Sequence, residues 1–340
     1  MTLDNRLSRY PILACLAITL LLVFSFSAWL ETRKDIDAKS VPIVPIELQT
    51  IQQRQAPAFD LSKLTIPSNE IRSGGPPKDG IPALMNPQVV AANDARFLKA
   101  GDRVIGVTIA GKSRAYPITI LNYHEIINDK LGDAAIAVTY CPLCDSAVVF
   151  DRKTPLGVLE FGVSGFLYNS NVLMFDRSRS ESLWSQMMAK GVSGSGADQS
   201  LSVLPFELTS WNSWQRRNPD TDVVSVETGH KRNYKGSPYS GYFKQPNLMF
   251  PVQPLSNSLP LKEPVLGVWV DQVAIAFPKS LFGNKDMQIE RTIQGKKVIV
   301  AFDAVDDTIR IVTADKGLQW ANSFWFAWYA FRPHTEISSQ

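Results

Sequence analysis

The 340-residue chain has few residues suited to soft or acid–base chemistry, with only three cysteines and three histidines. Its charge is also mild, because 35 Lys and Arg residues nearly balance 32 Asp and Glu residues and leave a net charge of +3. Nucleic-acid binding needs basic residues clustered on one face, and here they are scattered. We therefore expect no nucleic-acid partner and a globular protein in which few residues carry any chemistry.

One long run without charged residues is present, from Tyr10 to Leu30. It is long enough to span a bilayer as a helix and longer than the usual apolar core of a cleaved signal peptide. We predict a signal anchor over residues 1–30, and the small residues Ser25 and Ser27 leave cleavage open as the alternative. The sequence predicts a single-pass protein of the cytoplasmic (inner) membrane, its bulk on the periplasmic side.

Residues 31–64 contain prolines and a Gln-rich patch and are predicted to be a tether, followed by one globular region over residues 65–338. Within that region, residues 104–117 match residues 265–278 without a gap. Each copy has an alternating apolar run, a polar corner, and a second run that ends in proline. This pattern is typical of two strands joined by a turn.

A second repeated pattern follows each of these hairpins. Tryptophans three residues apart should lie on one face of a short helix, packed in the core. We therefore predict an α+β fold, rich in β structure, made of two degenerate repeat units over residues 95–225 and 260–338. The matching stretches are Trp211-x-x-Trp214-x4-Pro219-x-Thr221 and Trp325-x-x-Trp328-x4-Pro333-x-Thr335.

The two units differ most at a pair of cysteines. The first unit has Cys141-Pro-Leu-Cys144, where the second has Asp303-Ala-Val-Asp306, so the shared scaffold does not need cysteine at this turn. Strand-like runs flank the pair, and nothing after it resembles a helix, which excludes a thioredoxin fold. Any activation of a thiol must come from neighbouring side chains or backbone N–H groups. The third cysteine, Cys15, lies in the N-terminal apolar run.

Three uses of the cysteine pair are compatible with its spacing: a redox dithiol, a soft-metal site for Cu(I) or Zn(II), and a structural disulfide. No second cysteine pair is present, so a four-cysteine zinc site within one chain is excluded. His124 precedes the strand that leads to Cys141 and is the candidate base for a thiol, or the third ligand of a metal held by Cys141 and Cys144.

The extra segment of the first unit holds the candidate substrate-binding residues. It mixes glycine turns with amide, hydroxyl and aromatic groups, as binding pockets often do. The candidates are Tyr168, Asn169, Asn171, Trp184 and Gln186.

Six stretches of the globular region carry a resemblance to a known family: residues 74–83, 123–129, 139–144, 161–171, 183–186 and 228–234. In these stretches the chain is similar to a bacterial and archaeal family catalogued as domain of unknown function 3179. That family has no established activity. Some relatives carry selenocysteine at a cysteine position of the stretch that corresponds to residues 139–144, and the resemblance therefore implies redox use of Cys141 or Cys144.

The sequence thus predicts a membrane-anchored extracytoplasmic protein that uses Cys141 as the attacking thiol, Cys144 as its resolving partner and His124 as the base. Its partners would be the membrane and a periplasmic thiol or redox partner protein. Two other functions remain open: a non-enzymatic Cu(I) or Zn(II) binding module, and an interaction scaffold with an inert disulfide. No cofactor beyond these metals is implied.

Overall fold

The computed structural model describes residues 59–339. The predicted anchor over residues 1–30, Cys15 and most of the predicted tether lie outside this range. Within it, the α+β fold rich in β structure is confirmed, with 23 strands in five sheets and four short α-helices. No helix in this described part is long and apolar enough to cross a bilayer.

In chain order the strands are β1 (Ile71–Ser73), β2 (Leu84–Met85), β3 (Val89–Ala91), β4 (Arg103–Ile109), β5 (Lys112–Pro117), β6 (Ile126–Leu131), β7 (Ala134–Cys141), β8 (Ser146–Asp151), β9 (Lys153–Thr154), β10 (Gly157–Val158), β11 (Phe161–Tyr168), β12 (Asn171–Asp176), β13 (Leu183–Ser185), β14 (Lys190–Gly191), β15 (Glu207–Ser210), β16 (Asp222–Val224), β17 (Pro264–Val270), β18 (Val273–Pro278), β19 (Met287–Ile293), β20 (Lys296–Asp303), β21 (Thr308–Ala314), β22 (Gln319–Phe324) and β23 (Glu336–Ile337). The α-helices are α1 (Ile118–His124), α2 (Trp211–Arg217), α3 (Ser240–Phe243) and α4 (Trp325–Phe331).

The largest sheet has eight strands in the order β2-β6-β7-β8-β22-β17-β18-β23. Its central strands are buried on both faces, so β7 and β8 read as nearly continuous apolar runs. Successive side chains alternate between the faces. On β7, Val138 and Tyr140 enter one hydrophobic cluster, while Ala137 and Cys141 enter another on the opposite face. Alternation along β7 therefore directs the Cys141 side chain into a tryptophan-rich core.

Two groups of four strands share one arrangement. The first has the order β15-β4-β5-β16 and the second β22-β17-β18-β23. In each, a hairpin is flanked by an antiparallel strand and by a parallel one. The registers also agree at the repeated positions. The corresponding pairs are Ser210↔Arg103 with Phe324↔Pro264, and Asp222↔Arg114 with Ile275↔Glu336.

A helix packs on each group in the same way. A Cβ added to Gly106 would lie 2.2 Å from the Trp214 ring, and one added to Gly267 would lie 2.2 Å from the Trp328 ring. Glycine is required at both positions because the indole rests directly on the strand backbone. Each indole N–H also donates a hydrogen bond of 3.0 Å to the threonine seven residues on, either Thr221 or Thr335.

The remaining sheets include one made largely of the extra segment of the first unit, with five strands in the order β1-β11-β12-β13-β14. Phe59 is buried against this sheet, with its ring 5.5 Å from that of Phe166 and 5.4 Å from that of Phe175. The sheet brings the turn between β11 and β12 against the cysteine pair.

Candidate functional site

The two cysteines lie in the tight turn that joins β7 to β8, as the flanking apolar runs predicted. Cys141 pairs with Ser146 at the mouth of the turn, and the N–H of Cys144 donates to the carbonyl oxygen of Cys141 at 3.2 Å. Asp145 closes the turn with φ 48°, in the left-handed region that Asp tolerates better than most residues. The corresponding turn in the second unit closes in the same way, with Asp307 at φ 54°.

Arg103 of β4 anchors the cysteine turn through Asp145. Its guanidinium donates two hydrogen bonds to the Asp145 carboxylate, at 2.9 and 3.1 Å, in the bidentate geometry that favours Arg–carboxylate pairs. The hydroxyl of Tyr140 donates to the same carboxylate at 2.7 Å. These contacts fix the residue next to Cys144.

A two-residue turn between β11 and β12 meets the thiols from the other side. Tyr168 pairs with Asn171, and the two residues between them have φ values of 48° and 63°. Positive φ at both positions is typical of a type I′ hairpin turn. The turn directs the carbonyl oxygen of Ser170 to the cysteine pair, 3.2 Å from Cys144 Sγ and 3.9 Å from Cys141 Sγ.

Cys141 is surrounded by hydrogen-bond donors. Burial acts to raise the pKa of its thiol. Hydrogen bonds from the Cys144 side chain and from the backbone N–H groups of Val172, Cys144 and Leu143 outweigh that effect and lower the pKa below its ordinary value. The geometry therefore favours a thiolate at Cys141.

The pKa of Cys144 is shifted in the opposite direction. Burial raises the pKa of its thiol well above the ordinary value, and the hydrogen bond to Cys141 and the charge of that neighbour raise it further. Both side chains are buried free thiols, with Cys141 1% exposed and Cys144 0% exposed. Of the two thiols, Cys141 therefore loses its proton more readily and Cys144 holds its proton more strongly.

A buried polar network lies beside Cys144. Asn171 Nδ2 donates to Ser146 Oγ at 3.0 Å and to Gln186 Oε1 at 2.9 Å. Ser146 Oγ donates to Gln186 Oε1 at 2.7 Å, and Gln186 Nε2 donates to Thr139 Oγ1 at 2.9 Å. A hydrogen bond with the Asn171 side chain acts to lower the pKa of Cys144, against the dominant effect of burial. Asn171 and Gln186 are thus brought to the cysteine pair.

The other three predicted substrate-binding residues have separate contacts. Trp184 is buried, and its Nε1–H donates to Asp176 at 2.8 Å. The Tyr168 ring packs edge-on against that of Phe331, with centroids 5.5 Å apart. Asn169 Oδ1 accepts the backbone N–H of Gln253 at 3.0 Å, which ties the hairpin turn to the segment between the two units.

His124 is buried at the end of α1, and both of its ring nitrogens are engaged away from the thiols. Nδ1–H donates to the carbonyl oxygen of Pro82 at 2.7 Å, so Nε2 accepts from the hydroxyl of Tyr234 at 2.6 Å. Burial lowers the pKa of His124 from 6.5 to about 4, and the charges of His230 and Arg232 add to this effect. His124 is therefore a neutral, hydrogen-bonded histidine at pH 7.

Glu125, the next residue, is the carboxyl group near Cys141. It follows α1 with φ 56°, and it is buried. Burial raises the pKa of Glu125 well above its ordinary value, and the charge of Cys141 raises it further. The carboxyl therefore holds its proton to a higher pH than an ordinary glutamate does, and most strongly when Cys141 is a thiolate. Its sequence position beside His124 was the only signal for this role.

Two tyrosines that the sequence did not indicate, Tyr239 and Tyr242, lie beside the cysteine turn, and we call them the tyrosine cover. They belong to the segment that connects the two units, at and within α3. Burial raises the pKa of both, and the next contribution comes from Glu125 for Tyr239 and from Cys144 for Tyr242. The hydroxyl of Tyr242 donates to the carbonyl oxygen of Leu143, within the cysteine turn, at 2.9 Å.

Lys262 fixes this cover in place. Its ammonium group lies 3.4 Å from the centre of the Tyr242 ring and donates to the carbonyl oxygens of Tyr242 and Gln245, both at 2.6 Å. Burial lowers the pKa of Lys262. The tyrosine cover is thus attached both to the turn and to the start of the second unit.

Within residues 59–339, no group of three or more His, Cys, Asp or Glu side chains is disposed to hold a metal ion. The predicted third ligand, His124, has its two nitrogens bonded to Pro82 and Tyr234.

Comparison with known proteins identifies a family but no activity. The sequence profile of the family described as "Protein of unknown function (DUF3179)" matches residues 78–322, which is more than half of the chain. No curated protein and no solved structure matches the chain.

Proposed function

The chain belongs to the DUF3179 family of proteins of unknown function, and from its site we propose that it is a thiol–disulfide redox protein that uses Cys141 and Cys144. The observation that carries this proposal is the asymmetry of the pair. Cys141 Sγ accepts hydrogen bonds from three backbone N–H groups and from the Cys144 side chain, and its pKa is lowered. Burial raises the pKa of Cys144 and so favours its protonated form. A reactive dithiol needs one thiolate that attacks and one thiol that resolves.

Thiol–disulfide exchange with a substrate takes two steps. The Cys141 thiolate attacks one sulfur of a substrate disulfide, which forms a mixed disulfide with Cys141 and releases the other substrate sulfur as a thiolate. Cys144 then attacks Cys141 Sγ and gives its proton to a departing substrate thiolate. The protein pair is oxidised to a disulfide, and the substrate gains the two electrons. The substrate leaves as one thiol and one thiolate, and the Glu125 carboxyl or water supplies the second proton.

Glu125 is the group we assign to proton control beside Cys141, and His124 supports it from one residue away. A protonated carboxyl near a thiolate can supply a proton to the leaving sulfur, provided its pKa is raised by burial. His124 holds the end of α1 between Pro82 and Tyr234, and thereby positions Glu125.

Substrate access requires movement of the tyrosine cover, because both thiols are buried. The partner is then a protein or small molecule that displaces Tyr242 from the cysteine turn. Once the cover has moved, Asn171 and Gln186 would contact the incoming disulfide. Tyr168 and Asn169 shape the turn that leads to Asn171, and Trp184 lies on β13 just before Gln186.

The proposal also includes the setting of the site. The uncharged run at residues 10–30 anchors the chain in the cytoplasmic membrane, residues 31–64 act as the tether, and the thiols work on the extracytoplasmic side. Units 95–225 and 260–338 derive from one duplicated ancestor, which the shared strand order and register support. Cysteine was then acquired in one copy only.

The full-length protein and its Cys141→Ser variant test the redox function. Equilibration in glutathione buffers, followed by alkylation and mass analysis, should show one two-electron couple in the wild type and none in the variant. Catalysed reduction of a model disulfide should also require Cys141. Equal turnover by the two proteins contradicts the proposal. Stoichiometric copper or zinc that is lost on Cys144→Ser substitution would favour a metal-binding module, and a pair that stays oxidised under strong reductant would favour an inert disulfide.

A further inference from the structure

Among residues 59–339, Arg332 has aromatic partners and no acidic partner. It follows α4, and its guanidinium carbon lies 3.9 Å from the centre of the Trp269 ring and 4.6 Å from the centre of the Trp328 ring. Its Nη1 donates to the carbonyl oxygen of Met187 at 2.9 Å. Within the described residues, no carboxylate forms an ion pair with it, whereas the partly buried Arg103, Arg114 and Arg217 each have one.

Burying the Arg332 guanidinium without an acidic partner costs free energy. A guanidinium offers five N–H donors, and taking its charge out of water without a counter-charge is costly. Stacking on two indoles offsets part of that cost. Burial lowers the pKa of Arg332 to about 9, which is the direction expected when no negative group compensates.

Arg332 lines a cavity of about 240 Å³ beside these indoles. The walls include apolar surface from Trp269, Phe331 and Pro333, and the cationic side chain of Lys190 also lines the cavity. Lys190 is paired with Asp198 at 2.6 Å. At roughly 30 Å³ for each water, the space corresponds to about eight waters, which suits a small organic molecule. Asp271 also lines it but forms no ion pair with Arg332.

The repeat shows that the scaffold does not require an arginine here. The corresponding residue of the first unit is Asn218, with φ −132° against −141° for Arg332 and with the same position after its helix. Asn218 Nδ2 donates to the carbonyl oxygen of Trp214 at 3.2 Å and completes the helix end without a charge. Arg332 is therefore an addition to one copy, as the cysteine pair is to the other.

We infer that this cavity binds a small organic carboxylate, whose two oxygens pair with the Arg332 guanidinium and whose apolar body lies against Trp269 and Phe331. The planar, two-oxygen carboxylate matches the fork of a guanidinium. The site is independent of the thiol chemistry proposed above, and its occupancy can be measured without any redox readout.

Benzoate is the probe, and benzamide is its neutral counterpart of nearly the same shape. Titration into the full-length protein, followed by tryptophan fluorescence and calorimetry, should show saturable binding of benzoate and binding of benzamide weakened at least tenfold. Arg332→Gln should weaken benzoate binding at least tenfold. Arg179→Gln, which removes an exposed arginine elsewhere, should leave it unchanged.

A second variant keeps the test decisive if Arg332→Gln does not fold. Gln272 is exposed and lines the same cavity, so Gln272→Trp should fill the space while Arg332 and its contacts are retained. Benzoate binding should then fall at least tenfold. Any of three results overturns the inference. The first is equal benzoate affinity in the wild type and in either folded variant, and the second is equal affinity for benzoate and benzamide. The third is that none of benzoate, acetate and cyclohexanecarboxylate binds. Tight binding of phenyl phosphate with no binding of benzoate also overturns it.

Discussion

Cys144 Sγ lies 3.2 Å from the carbonyl oxygen of Ser170, an acceptor that suits a protonated thiol. A carbonyl cannot donate a hydrogen bond, so this contact favours the S–H form of Cys144, whose one proton is shared between this oxygen and Cys141 Sγ. The N–H groups around Cys141 donate hydrogen bonds to its sulfur and therefore stabilise a thiolate there. The hairpin turn at residues 169–170 and the cysteine turn therefore assign the proton to one thiol and the charge to the other.

The two thiols should differ in reactivity, with Cys141 the faster of the two. In the Cys144→Ser variant, Cys141 should react with iodoacetamide at pH 7 about tenfold or more faster than Cys144 does in the Cys141→Ser variant. Its rate should reach half of its maximum at a pH below that of an ordinary thiol, because its pKa is lowered. Rates measured by mass spectrometry across pH 5–10 provide the check, and equal profiles for the two variants would contradict the assignment.

Tyr242 provides a test of access. Tyr242→Ala removes the ring that covers the cysteine turn and should raise the rate of thiol modification about tenfold or more, since local opening limits the reaction of buried groups. Tyr242→Phe removes only the hydrogen bond to Leu143 and should have a smaller effect. If neither variant changes the rate of modification by a bulky thiol reagent, the thiols are reached from another direction.

The buried amide network makes a prediction about stability. Asn171→Leu removes the donor to Ser146 Oγ and one of the two donors to Gln186 Oε1, and it should lower the free energy of unfolding by about 2–4 kcal/mol. Asn247→Leu, at an exposed position, should change it by less than about 0.5 kcal/mol. Urea unfolding monitored by tryptophan fluorescence measures both, and equal effects of the two substitutions would show that the network is not needed for stability.

His124 predicts a pH dependence with a definite sign. Its pKa is about 4 in the folded protein and 6.5 ordinarily, so the unfolded chain binds more protons between these values. Stability should therefore fall as pH decreases from 6.5 to 4, by roughly 2 kcal/mol from this residue after allowance for solvent screening. His124→Gln should reduce the loss by that amount, and His334→Gln, at an exposed site, should not. Thermal unfolding at pH 7 and pH 4.5 compares them.

The two glycines beneath the indoles should respond alike. Gly106→Ala and Gly267→Ala each place a methyl group 2.2 Å from a tryptophan ring and should destabilise the fold by about 1–3 kcal/mol or more. Gly236→Ala, with no atom within 4 Å of the added methyl, is the control and should be near neutral. A large effect at only one of the two buried glycines would show that the two groups pack differently.

Much of the local structure could be predicted from the sequence because its signals are local. The gapless match of residues 104–117 with 265–278 predicted both hairpins, and the tryptophan spacing predicted α2 and α4. The flanking apolar runs placed Cys141 and Cys144 in a β-turn. Each of these features depends on residues within about ten positions of one another.

The contacts across the site could not be predicted in this way. The tyrosine cover comes from a connecting segment about a hundred residues after the cysteines, and no periodic pattern marks it. Which of two neighbouring residues, His124 or Glu125, interacts with the thiols is likewise not marked in the sequence. Glu125 interacts with the charge of Cys141, whereas the ring of His124 is bonded to Pro82 and Tyr234.

The backbone contact between the cysteine turn and the far end of the chain has a consequence during synthesis. The N–H of Phe324 donates to the carbonyl oxygen of Cys144 at 2.7 Å, and β22 joins the large sheet beside β8. The ribosome makes Phe324 roughly 180 residues after Cys144, a delay of roughly 10–40 s at ordinary rates of synthesis. For that time the cysteine turn lacks its contact with β22, so the two thiols meet the redox conditions around the nascent chain before the site is complete.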